Sequence, residues 1–159
     1  MSWLALTLVV FGCFVAVFYI KNRQMNHPAL QFPYRLKASP LSADELALYE
    51  LLGKAVGERY RILVKVRAAD VVDVTAVPRR APWYHAVNRI GAGHFDFLLC
   101  RKDDLGVVCA IEYTASPAEQ EPFIEQLCQS IDLPLVRLSA ERARSFSEVR
   151  NALEAVLPG

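Results

Sequence analysis

The chain has 159 residues, of which 18 are basic and 17 acidic, for a formal net charge of +1. Such a balance excludes a protein that works through bulk positive charge, and it does not mark a nucleic-acid binder. The hydrophobic content of 53% is raised by a charge-free N-terminal stretch, and the remainder is long enough for one small domain.

Residues 2–20 read SWLALTLVVFGCFVAVFYI and carry no charge. That length of apolar chain spans a bilayer core as a helix. Trp3 and Tyr19 lie near its two ends, where amphipathic aromatics favour the interface. Lys21 and Arg23 follow at once, and no basic side chain precedes the stretch. The positive-inside rule then predicts a single-pass anchor in a bacterial-type inner membrane, with the C-terminal domain cytoplasmic. A cleaved signal would carry a basic start and a small-residue cleavage site, and neither is clear. Gly12-Cys13 resembles a lipoprotein signal only faintly, because Phe11 and the uncharged start argue against it. A buried core helix is the alternative. Residues 21–40 hold Pro28, Pro33 and Pro40 and read as a tether, with Phe32 and Tyr34 able to pin it.

Residues 41–159 read as the folded domain. Ser42 followed by Glu45 is a capping box, and Leu48, Leu51, Leu52, Ala55 and Val56 follow at helical spacing before Gly57. This predicts a helix over 43–56. Tyr60, Ile62, Val64 and Val66 alternate with Arg61, Leu63, Lys65 and Arg67, which predicts a strand with a polar-leaning second face. Residues 69–77 fit a strand, an irregular segment or a short helix. Residues 78–93, with two prolines and two glycines beside Trp83, Tyr84 and His85, read as a loop able to bind another protein.

Residues 95–113, FDFLLCRKDDLGVVCAIEY, are two apolar runs around a polar turn and predict a hairpin. Ser116 with Glu119 resembles another helix start, but Pro122 moves the regular part to begin near itself. Phe123, Ile124, Leu127, Cys128 and Ile131 supply its buried stripe. A short strand over 133–138 and a helix opened by a Ser145–Glu148 capping box complete the domain. The order helix, strand, hairpin, helix, strand, helix implies an α/β mixed sheet with helices on its faces. No phosphate-binding glycine loop occurs; GAG at 91–93 lacks both the spacing and the lysine.

Each hairpin strand carries one acid in an apolar run, Asp96 and Glu112. An acid there must face solvent, have a partner or bind a cation. A salt bridge to Lys65 or Arg67 from the neighbouring strand would satisfy either without a metal. His94, two residues before Asp96, is a candidate for the same face; His85 and His27 have weaker claims. Arg59, Arg61, Lys65, Arg67, Arg79, Arg80 and Arg89 outnumber Asp70 and Asp73 between positions 59 and 89. Arg67, Arg79, Arg80 and Arg89 are therefore candidate nucleic-acid contacts, with anionic headgroups as an alternative partner and Trp83 and Tyr84 able to stack on bases. The four cysteines show no metal-ligand spacing, so buried free thiols are expected; a Cys100–Cys109 cross-strand disulfide is the alternative in an oxidising compartment.

The segments LSADELALYELL, YRILVKVRAADVV, NRIGAGHFDFLLC, VVCAIEY and LPLVRL resemble domain-of-unknown-function family 2726. That family is similar to the PD-(D/E)xK, restriction-endonuclease-like nucleases. The resemblance covers about residues 40–140 and implies a restriction-endonuclease-like fold. It carries catalytic and metal-ligand roles onto Asp96 and Glu112. Two such carboxylates at adjacent strand ends would hold Mg2+, which polarises a phosphodiester and activates water. The position matching the nuclease lysine is Thr114, and IEYTA stands where the family resembles IELDD. Lys65 or Lys102 is then the substitute lysine, Glu45 or Glu50 a possible further acid, and Gln120 or Gln126 a neighbour on the following helix. The implied function is a membrane-anchored, nuclease-like, DNA-binding domain with weak or degenerate chemistry. The alternative is a non-catalytic scaffold or protein-interaction domain at the membrane face.

Overall fold

The computed structural model describes residues 2–25, 34–116 and 122–157. The chain divides into two compact units, residues 1–38 and 39–159. In the first, helix α1 (Ser2–Met25) runs past the predicted end at residue 20. Its stretch Trp3–Arg23 is long and apolar enough to cross a membrane, and none of it is buried. Capping by the 116–119 pair lies outside the described residues.

In the second unit, helix α2 (Ala43–Val56) starts where Ser42 and Glu45 close a reciprocal capping box. Glu45 N–H donates to Ser42 Oγ at 3.3 Å, and Ser42 N–H donates to Glu45 Oε2 at 2.8 Å. Leu48, Leu52 and Val56 recur every four residues and are buried, each leucine contributing about 1.5–3 kcal/mol. The helix stops at Gly57, whose φ of 55° suits a residue without a Cβ.

Strand β1 (Tyr60–Arg67) is followed by a 3-10 turn (Ala68–Asp70), then helix α3 (Ala81–Ala92). Strands β2 (His94–Arg101) and β3 (Val107–Thr114) form the hairpin. Its turn is held by Arg101, which donates twice to Asp104 at 3.0 and 2.6 Å, while Asp104 accepts from Gly106 N–H at 2.8 Å. Helix α4 (Pro122–Ser130) leads to strand β4 (Leu135–Ser139). A 3-10 turn (Arg142–Arg144) and helix α5 (Phe146–Glu154) close the unit. At α5 only half of the predicted capping box forms. Ser145 Oγ accepts from Glu148 N–H at 3.5 Å, while the Glu148 carboxylate turns to Arg142.

The sheet order is β1-β2-β3-β4. The first two pairings are antiparallel and β3 with β4 is parallel, so α4 is a crossover helix. The sheet is therefore mixed and flanked by helices. One core holds Leu48 and Leu52 of α2 and Val149 and Leu153 of α5 against Phe97, Leu99, Cys109, Ile111, Val136 and Leu138. The other holds Ile90 of α3 and Ile124, Leu127 and Cys128 of α4 against Phe95, Leu98, Cys100 and Ala110. Alternate strand residues thus feed opposite layers.

One expectation is corrected, and one alternative falls while the expected buried free thiols at Cys100 and Cys109 are found. Residues 78–93 are not a loop: α3 occupies most of them. Pro82 sits in the first turn, where no N–H is needed, and Gly91 and Gly93 mark the end rather than breaking the helix. Gly93 also permits close packing, since a Cβ there would lie 2.9 Å from Phe123 Cε1. Nor can Cys100 and Cys109 bridge. Cys100 packs in the α3–α4 core and Cys109 in the α2–α5 core, and both thiols are free. Burial pushes the Cys109 thiol up to about 12.

Candidate functional site

The strand pattern breaks near the start of β2, away from the β2–β3 register shift at Leu99/Cys100. Val64 and Phe97 pair and face the α2–α5 core, whereas Val66 and Phe95 pair and face the α3–α4 core. Between them lie Lys65 and Asp96. Lys65 has φ 50°, a left-handed conformation that costs a side-chain-bearing residue about 1–2 kcal/mol. Both strands therefore change face at the same step, and both polar side chains turn to α2.

Lys65 Nζ donates to Glu45 Oε1 at 2.5 Å and to Asp96 Oδ1 at 2.7 Å. All three side chains are largely shielded, with 28% of Lys65, 13% of Glu45 and 14% of Asp96 exposed. Glu45 thus serves twice, capping α2 with one oxygen and holding Lys65 with the other. The last β2–β3 pair is Phe97↔Ile111. Beyond it, Asp96 Oδ2 accepts from Tyr113 N–H at 3.0 Å, so a carboxylate supplies the acceptor that a neighbouring strand would normally give. His94 Nε2 lies 3.7 Å from Asp96 Oδ1.

Glu112 is elsewhere. It shares the parity of Ala110 and faces the layer of α3 and α4. Arg137 Nε on β4 donates to Glu112 Oε2 at 2.8 Å, and Arg137 Nη1 donates to Glu125 Oε2 on α4 at 2.9 Å. Cys128 also lies on this side; burial first, then the Glu112 charge, pushes its thiol up to about 11. Thr114, the position matching the nuclease lysine, is 7% exposed, and its hydroxyl has no partner among the described residues.

The structure therefore brings Lys65 to Asp96 and adds Glu45, but it does not bring Glu112 to either. The two acids belong to separate ion-pair clusters on opposite helical layers, because Asp96 lies at the step where β2 changes face, whereas Glu112 lies in the part of β3 beyond its irregularity, where the faces alternate. Among the described residues, no three His, Cys, Asp or Glu side chains group to hold a metal ion. Lys102 pairs with Glu58. Glu50 is exposed, and Gln120 lies outside the described residues. Arg67 is occupied by Asp70 through bonds of 3.0 and 2.8 Å. Arg89 lies 4.7 Å above the Phe123 ring and donates to Gln126 at 3.5 Å. Arg79 and Arg80 are exposed and pair with no acid among the described residues. Sequence reading missed Arg137 and Glu125. Their signal was a lone arginine in the apolar strand LPLVRL, which needs a buried counter-charge.

The cluster sets a pH dependence. Burial raises the Glu45 carboxyl, but hydrogen bonds from Lys65 and Ser42 outweigh it and leave the group below its usual 4.5. Burial lowers the Lys65 ammonium, but bonds to Asp96 and Glu45 leave it above its usual 10.5. A carboxyl lowered on folding stabilises fully above its unfolded value and loses that contribution as pH falls through its folded value. A raised ammonium contributes fully below its unfolded value and loses this as pH rises through its folded one. Urea unfolding between about pH 3 and pH 7 should show the wild-type midpoint falling more steeply below 4.5 than that of Glu45→Gln.

No curated protein and no solved structure matches the chain. A family described as protein of unknown function, DUF2726, matches residues 38–156, which takes in both ion-pair clusters and every element of the second unit. The chain belongs to the DUF2726 family.

Proposed function

We propose that the domain is a non-catalytic scaffold or interaction module held at the cytoplasmic face of a bacterial-type inner membrane by α1. One observation carries the loss of chemistry: both oxygens of Asp96 are engaged, Oδ1 by Lys65 and Oδ2 by the Tyr113 N–H. Mg2+ takes six oxygen ligands, of which a protein supplies one or two carboxylates and water most of the rest. To use Asp96 it would have to displace an ammonium already bound between two carboxylates. Glu112 is likewise engaged by Arg137. The cytoplasmic side is supported by Lys21 and Arg23 directly after a charge-free span.

Descent from a restriction-endonuclease-like ancestor is supported by the order α2, β1, β2, β3, α4, β4, with α3 inserted between β1 and β2, and by the parallel crossover. A second reading, a weak nuclease-like domain binding DNA, is favoured by the contact of Lys65 with Asp96, which would supply from β1 the lysine missing at Thr114. That reading requires Asp96 and Glu112 to leave their separate ion pairs and converge on one Mg2+, with Arg79 and Arg80 contacting the backbone.

Calorimetric titration of the full chain with Mg2+ and Mn2+, alongside plasmid cleavage, separates the two. The scaffold reading expects neither saturable binding nor cleavage up to about 10 mM metal. A saturable Mn2+ isotherm that disappears in both Asp96→Asn and Glu112→Gln would overturn it.

A further inference from the structure

The segment between Asp73 and Asp96 contains no acidic residue but carries Arg79, Arg80 and Arg89 with Trp83 and Tyr84. Arg89 stacks on the Phe123 ring and bonds Gln126, whereas Arg79 and Arg80 face solvent without such contacts among the described residues. Beside them Val77 is 63% exposed and Tyr84 52% exposed. Arg79 has φ 62°, an outlying conformation for a side-chain-bearing residue of the kind that gathers at functional surfaces.

We propose that Val77, Arg79, Arg80, Pro82, Trp83 and Tyr84 form a docking surface for the anionic headgroups of the membrane that α1 enters. This rests on α1 being an anchor. Cations that no acid neutralises among the described residues match an anionic surface, and Trp and Tyr suit the headgroup boundary, being apolar in body and polar at one edge. The chain over 24–42 spans at most about 65 Å when fully extended, so the domain stays close to the bilayer and a small patch suffices. Nucleic acid is the competing partner for a basic, aromatic surface. The Trp83 and Tyr84 rings pack edge to face at 5.0 Å and 78°, instead of presenting two open faces for successive bases. Exposed Val77 also favours the bilayer boundary over a phosphate backbone.

The chain has two tryptophans, so Trp3→Phe leaves Trp83 as the sole tryptophan, excited selectively over the tyrosines. The full chain with that change is placed in nanodiscs containing brominated lipid. Quenching of Trp83 should be about twofold greater with phosphatidylglycerol than with phosphatidylcholine alone, and the difference should vanish in Arg79→Glu/Arg80→Glu. Equal emission in the two discs, or a difference that survives charge reversal, overturns the docking. Duplex DNA binding that is lost on charge reversal while Trp83 stays unquenched assigns the patch to nucleic acid instead. Carbonate extraction separates the two layers of the argument. A chain released by carbonate overturns the anchor and the docking with it. A retained chain with unquenched Trp83 overturns the docking alone.

Discussion

Asp96→Ala should destabilise the domain by about 3 kcal/mol, read as a lower urea midpoint at unchanged slope. The substitution leaves Lys65 with one carboxylate instead of two and removes the acceptor of the Tyr113 N–H. Partial exposure of Lys65 keeps the loss below that of a fully buried pair. Asp96→Asn retains an oxygen for Tyr113 and should cost about half as much. The sign separates the two functional readings. Carboxylates gathered for a metal repel one another, so neutralising one leaves stability unchanged or raises it while abolishing activity. A stabilised Asp96→Asn would therefore count against the scaffold reading even without a nuclease assay.

Arg137→Met should cost about 2–3 kcal/mol, because it leaves the 12% exposed Glu112 side chain without its counter-charge. The double variant Glu112→Gln/Arg137→Met should cost less than the sum of the singles, with a coupling of about 1–2 kcal/mol in a double-mutant cycle. Glu125 is 47% exposed and its removal should matter much less. Additive single effects would mean that Glu112 and Arg137 do not depend on each other.

The elements that local chemistry specifies were legible in the sequence. The Ser42–Glu45 box fixed the start of α2, alternation marked β1, and the polar turn located the hairpin. Helix α3 was obscured because proline and glycine were read as breakers when they stand at its two ends. Trp83, Val87 and Ile90 already had helical spacing. At the candidate site, the pairing of Asp96 with Lys65 was open as a salt bridge between neighbouring strands. Its separation from Glu112 was not visible. Period-two counting assigns faces on a regular strand, and nothing local in HFDF marks the step at which β1 and β2 both change face. Arg137 went unnoticed for the related reason that its partners come from β3 and α4, far away in sequence.

A carboxylate standing in for a peptide carbonyl has a consequence for assembly of the sheet. Ordinary rungs are chemically alike, so a hairpin slid along by one position can still pair its backbone. The Asp96–Tyr113 rung is unique: sliding β3 along β2 would part the carboxylate from the Tyr113 N–H, while Lys65 would keep both Asp96 and Glu45. The rung thus favours one register of β3 against β2 over its neighbours.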